Sequence, residues 1–215
     1  MKLVIGDKNY SSWSMRPWLV LKHFGIPFEE IVVELGGPQT KAAILTHSPS
    51  GRVPCLITDD GVSVWDSLAI VETLAERFPQ HAMWPRDPAA RARARSTSAE
   101  MHGGFMDLRS NMWMNIRASF PGKNATAGVL ADIARIDAMW REYLDTYGGP
   151  FLFGEFGIAD AMYAPVVTRF RSYGVALDPV SQAYCAHVWQ WPDLAEWVAA
   201  AQLEPEQIEE LEVEF

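Results

Sequence analysis

The sequence predicts an α/β unit of order β-α-β-α-β-β-α over residues 1–79, followed by an all-helical unit over residues 88–215. Short apolar runs alternating with amphipathic stretches predict the first unit, and Asp59-Asp60-Gly61 between two such runs adds a hairpin turn signal. From Pro85 onward only long helical periodicity persists, which predicts the second. Residues 80–88, with Pro85 and Pro88 and few periodic apolar positions, read as the linker.

Residues 2–6 form an apolar run before the polar turn 7–12 and read as a buried strand. The helix that follows presents Met15, Trp18, Leu19 and Leu21, and Gly25 with Pro27 supplies its stop signal. Pro17 is predicted to lie in its first turn, where a missing N–H costs little. Residues 28–35 read as the second strand, Gly36-Gly37-Pro38 as a loop and 41–46 as a short helix. Strands are predicted at 53–58 and 62–65. Asp66 or Ser67 then caps a helix carrying Leu68, Ile70, Val71, Leu74 and Phe78 at helical spacing.

In the second unit, helices are predicted at 88–114, 127–147, 157–173 and 193–202. The first places Met101, Phe105, Leu108 and Met112 on a core stripe, with Arg95, His102 and Arg109 on another. The tail 204–215 carries six glutamates and reads as a solvated helix end.

With 49% hydrophobic and 21% charged residues, the composition is that of a globular protein. A net charge of -9 excludes the basic footprint that nucleic acid or an anionic membrane requires. No apolar run approaches the ~20 residues of a membrane span, and no secretory leader precedes the first strand, so a cytoplasmic location is the expectation. The two cysteines, Cys55 and Cys185, form no CxxC and read as small buried hydrophobes. No metal-ligand spacing occurs.

Three segments point to chemistry. Tyr10-Ser11-Ser12-Trp13-Ser14-Met15-Arg16 lies where a strand ends and a helix begins, so free N–H groups and the helix dipole favour an anion or thiolate; capping by Ser12 or Ser14 accounts for the same residues. Arg52-Val53-Pro54 is either a trans proline opening a strand or a cis bond that presents the Val53 backbone to a ligand. Asp66-Ser67 opens a second helix, as a cap or as a carboxylate site. Their order within the β-α-β-α-β-β-α pattern strengthens all three.

On SSWSMRPWL at 11–19, RVPCL at 52–56 and WDSLAIVETL at 65–74, the chain resembles the glutathione transferase family, the first motif being similar to the serine run of its zeta class. The resemblance spans nearly the whole chain. It implies a thioredoxin-like first domain and a helical second domain that walls the electrophile pocket, with glutathione as co-substrate, a small-molecule electrophile as partner substrate, and a homodimer. By resemblance Ser11, rather than Tyr10, donates its hydroxyl to the glutathione sulfur, with Ser12, Trp13 and Arg16 around it. Val53, before Pro54, pairs with the cysteinyl backbone, Asp66 and Ser67 take the γ-glutamyl end, and Gln39 falls at the glycyl end. His102, Arg109 and Arg117 fall in segments that border the active site in bacterial members and are assigned as substrate contacts. Trp13 stands where the zeta motif has cysteine, which counts against a maleylacetoacetate isomerase role, and Gly157 lacks the hydroxyl of the family's Ser/Thr-x-x-Asp box, where Asp160 should still receive N–H bonds. The alternatives that the same motifs allow are a glutathione-dependent disulfide reductase or peroxidase, and a non-catalytic glutathione-binding protein.

Overall fold

In the computed structural model, which describes residues 1–212, the first apolar run forms β1 (Lys2–Gly6) inside a four-stranded sheet of order β2-β1-β3-β4. β2 (Glu29–Val33) runs parallel to β1, while β3 (Cys55–Ile57) and β4 (Ser63–Trp65) complete the sheet antiparallel. The two-residue period of the strands sends Leu3, Ile5 and Leu56 into a core shared with α1 (Ser12–His23) and α3 (Ser67–Arg77). Val4, Val33 and Cys55 face the other way, against Ile44 of α2 (Thr40–Leu45). The hairpin turn closes as its residues require: Gly61 takes φ +80° and donates its N–H to Thr58 O at 2.9 Å.

The second part contains α4 (Pro88–Gly103), α5 (Met106–Asn111), α6 (Ala127–Tyr147), α7 (Ile158–Tyr173), α8 (Pro179–Gln190) and α9 (Pro192–Leu203). No helix among the described residues is long and apolar enough to cross a membrane. α7 is buried almost all round, and its first turn is held by Asp160, whose carboxylate accepts from Leu152 N at 2.9 Å, Gly157 N at 3.0 Å and the Tyr184 hydroxyl at 3.0 Å. Gly157 has no cap hydroxyl, and the first-turn amides bond elsewhere, Ile158 N to Met83 O at 3.0 Å and Asp160 N to Gly157 O at 3.1 Å.

Four sequence expectations change. Pro17 lies inside α1 rather than in its first turn, so no N–H returns to the Trp13 carbonyl one turn earlier. The long helix predicted over 88–114 breaks at Gly103-Gly104, and Phe105 takes a left-handed φ of 56°; a Cβ at Gly104 would stand 2.7 Å from Glu100 O. α8 was not predicted, although Asp178 and Pro179 mark its start: its apolar residues do not gather on one face, Ala183 and Ala186 being exposed while Ser181, Tyr184, Cys185 and Val188 are buried. The glutamate-rich tail is no solvated helix end over its described residues. It crosses the loop between β1 and α1, where Glu204 accepts from Lys8 N at 2.7 Å and Asn9 N at 2.9 Å.

That loop is held mainly by the helical part. The Asn9 side chain donates to Asn115 Oδ1 and accepts from Arg117 N, both at 2.9 Å, and Trp197 Nε1 donates to Lys8 O at 2.9 Å. Trp197 also meets Trp18 of α1 edge-on at 5.2 Å between ring centres, so the two parts share one core.

Candidate active site

Where α1 begins, Ser11 is the cap residue. Its Oγ accepts from Ser14 N at 3.4 Å and donates to Ser14 Oγ at 2.7 Å, and Ser14 Oγ accepts in turn from Gly6 N at 3.1 Å. Ser12 follows as the first helical residue, and its hydroxyl has no hydrogen-bond partner among the described residues. Both serines are nearly buried, at 6% exposure each. Trp13 carries the surface outward from them.

A cavity of about 570 Å³ opens beside this helix start, lined by Trp13, Val53, Pro54, Asp66, Ser67 and His102, together with Ser50, Arg52 and Trp65. The Val53–Pro54 bond is cis, and the sheet register begins only at Cys55, so Val53 stands outside the ladder at the cavity edge. Asp66 caps α3 by accepting from Leu68 N at 2.9 Å, and it does so at φ 73° and ψ 131°, a backbone conformation that costs a non-glycine residue ~1–3 kcal/mol. Its other oxygen lies 3.3 Å from His102 Nε2. His102 also meets the Trp13 ring edge-on at 5.3 Å.

Behind this wall, Arg16 is fully buried and donates to Ser67 Oγ at 3.4 Å. Its guanidinium and that of Arg109 both lie over the Trp13 ring, 4.2 and 4.7 Å from the ring centre. Trp13, Val53, Pro54, Asp66, Ser67 and His102 therefore line one cavity, with Arg16 and Arg109 packed on the Trp13 ring and Ser11 and Ser12 at the adjoining helix start.

Gln39 and Arg117 do not join them. Gln39 precedes α2 and faces a separate cleft with Val32, Glu34 and His47. Arg117 lies over the Tyr10 ring and donates to the backbone carbonyls of Glu204 and Glu206, holding the tail. Tyr10 is taken up by the same latch: its hydroxyl donates to Glu212 and accepts from Arg117 at 3.0 Å, and burial, followed by Glu212, pushes its pKa up. Cys55 is buried, which raises its thiol above the usual value. Ser50, Arg52 and Trp65 are the lining residues that sequence reasoning left unassigned, although Arg52 and Trp65 open the two motifs quoted above.

Residues 10–77 match the glutathione S-transferase N-terminal domain family and residues 89–200 the glutathione S-transferase C-terminal domain family. The chain is 30% identical to maleylacetoacetate isomerase of Pseudomonas aeruginosa over 184 residues, covering 83% of this chain and 85% of that protein. It is 26% identical to glutathione S-transferase GstB of Escherichia coli, covering 82% and 87%. Among solved structures, a glutathione transferase homologue from Burkholderia with bound glutathione superposes with a TM-score of 0.71 at 25% identity, covering 94% of this chain and 97% of that one. A maleyl pyruvate isomerase, a bacterial zeta-class member, shares the fold with a TM-score of 0.73 at 23% identity, covering 96% and 100%. With both domain families matched in order, and a relative of this identity covered over most of its length, the chain belongs to the glutathione S-transferase family.

Proposed function

We propose that the protein binds glutathione in the cavity beside α1 and joins it through its sulfur to an electrophilic small molecule. The observation that carries this reading is the convergence of the α1 start, Val53–Pro54 and Asp66–Ser67 on one cavity. Asp66 offers a carboxylate to the γ-glutamyl ammonium, and Ser67 with the start of α3 offers donors to the adjoining carboxylate. Val53 offers its backbone to the cysteinyl unit, which aims the thiol at the start of α1.

Ser11 acts there as donor to the sulfur. Its hydroxyl proton faces Ser14; if the Ser14 hydroxyl turns to donate toward Ser11, with Gly6 N–H still on Ser14 Oγ, the Ser11 proton is freed for the thiolate. Lowering a thiol pKa of ~8.5 by ~2 units requires about 2.7 kcal/mol. A hydroxyl bond to an anion contributes ~1.5 kcal/mol or more and a helix start ~0.3–1, so the two come close to it. The sulfur lone pair then forms the C–S bond as the leaving group departs with its electron pair, and the thiol proton passes to solvent. Tyr10 is committed to the tail, and both cysteines are buried, so the bound thiol supplies the nucleophile.

Isomerisation by reversible thiolate addition is a second reading, favoured by the name of the Pseudomonas aeruginosa relative. Calorimetric titration with glutathione, followed by conjugation of chlorodinitrobenzene, tests the first. Binding with turnover is the expected result, and an absence of glutathione binding overturns it.

A further inference from the structure

The four-stranded sheet has an open edge at β2. Among the described residues β2 pairs with β1 alone, while β4, the opposite terminal strand, is three residues long. Glu29 N donates to Met1 O at 3.0 Å, which sets the alternation of the parallel ladder. Glu29, Ile31 and Val33 bond to β1, so the backbone N–H and C=O groups of Glu30 and Val32 point away from the sheet. Edge strands are commonly blunted by lysine, proline or a bulge. β2 has no lysine or proline, its register runs unbroken over all five residues, and Val32 is 49% exposed.

Clefts flank this edge on both faces of the sheet. Ile31, Val33, Ala43 and Thr46 line one of about 480 Å³ on the α2 side, and Ala200, Leu203 and Pro205 line one of about 550 Å³ on the α9 side; Val32 and Glu34 border both. Side chains alternate between the faces of a sheet, so a strand laid along β2 sends successive residues into one cleft and then the other. Backbone bonds to Glu30 and Val32 hold such a strand, and the two clefts select its side chains. Charge narrows the choice. The α9-side cleft also carries Asp7, Glu34, Glu204 and Glu206, and its basic lining residue, Lys8, has its ammonium on Glu30, over the Trp18 and Trp197 rings. Glu34 and Glu206 have no cationic partner among the described residues. A second copy of this chain would set one acidic edge against another, so the edge favours a basic occupant of a different kind.

We propose that β2 is a docking edge on which an extended, basic peptide segment of another protein adds as a further strand, with lysine or arginine side chains in the α9-side cleft and small apolar ones in the α2-side cleft. The two clefts share no lining residue with the cavity beside α1, so the proposal stands apart from the transferase reading.

A capped peptide of alternating lysine and valine, titrated calorimetrically into the full chain, should bind, and exchanging its lysines for glutamates should weaken it about tenfold or more. Selective N-methylation separates strand pairing from charge attraction, because it removes the amides along one edge of the peptide and leaves every charge. Methylating the lysine amides alone or the valine amides alone should cost about tenfold or more in one peptide and less than about threefold in the other. The sensitive set then reports whether the added strand runs parallel or antiparallel to β2. On the protein, Val32→Pro removes one outward N–H without touching the ladder to β1, and it should weaken the lysine peptide about tenfold or more, as should Glu34→Lys combined with Glu206→Lys. If Val32→Pro does not fold, hydrogen exchange in the wild type decides: the Glu30 and Val32 amides should gain protection when the peptide binds. No binding of the lysine peptide, an equal response to both methylations, binding that survives Val32→Pro, or protection confined to other amides overturns the proposal. A free protein whose sedimenting mass falls on Val32→Pro gives the edge to a second copy and overturns it as well.

Discussion

Asp66 Oδ2 and His102 Nε2 lie 3.3 Å apart, joining the cap of α3 to the end of α4 across the cavity mouth. The Asp66 carboxylate is half-exposed, so the pair itself contributes at most ~1 kcal/mol, and His102→Gln should change glutathione affinity less than about fivefold. Asp66→Gly is the sharper experiment. It relieves the φ of 73° while removing the cap, two effects of ~1 kcal/mol and opposite sign, so the melting temperature should hardly move. Glutathione affinity should fall at least tenfold in calorimetry; unaltered affinity would remove Asp66 from the binding site.

Ser11→Ala should lower kcat/KM for conjugation about tenfold or more and move its pH profile upward by about one unit, the loss of ~1.4 kcal/mol of thiolate stabilisation. The same change removes a helix cap and should cost ~1 kcal/mol in urea unfolding. Tyr10→Phe removes the bonds to Glu212 and Arg117 and should leave the profile in place. A shifted profile in Ser12→Ala with none in Ser11→Ala would transfer the role to the neighbouring hydroxyl.

Asp7 should make the protein less stable as pH rises. Burial pushes its carboxyl up to about 6 against the opposing Leu35 N–H bond at 2.9 Å, and Glu204, Glu206 and Glu34 add to the rise. Because the folded-state value lies above the unfolded one, this contribution is complete below about pH 4 and is lost as pH climbs through 6, an effect of about 2–3 kcal/mol. Asp160, raised to about 6 by burial, acts in the same direction. Urea unfolding from pH 4 to 7 should show a shallower decline in Asp7→Asn than in the wild type; parallel curves would mean that Asp7 titrates normally.

Glu204→Ala should destabilise the fold by ~2 kcal/mol, since it leaves the Lys8 and Asn9 amides without their acceptor. Hydrogen exchange reads this locally: those two amides should lose protection while the strands keep theirs.

Sequence reading carried furthest where local chemistry and tertiary packing agree. The stretch from Ala127 to Tyr147 has a capping threonine, a continuous apolar stripe and Gly148 in the left-handed region, and it folds over the predicted bounds. It carried least where backbone groups do the holding. The carbonyls of Glu204, Glu206 and Leu211 that anchor the tail leave no mark in side-chain identity, so six glutamates suggested only solvent. The Asp66 conformation is likewise invisible in an Asp-Ser pair. Gln39 rests on resemblance alone, and it faces another cleft.

The grip of Asn115, Arg117, Glu204 and Trp197 on residues 8 and 9 bears on how this protein can diversify. A chimaera grafting residues 1–79 onto the helical half of a relative would exchange all four anchors and release the segment that carries Ser11. The two halves are therefore not interchangeable modules: changes in the helical half that displace Asn115, Arg117 or Trp197 reach the start of α1 through residues 8 and 9.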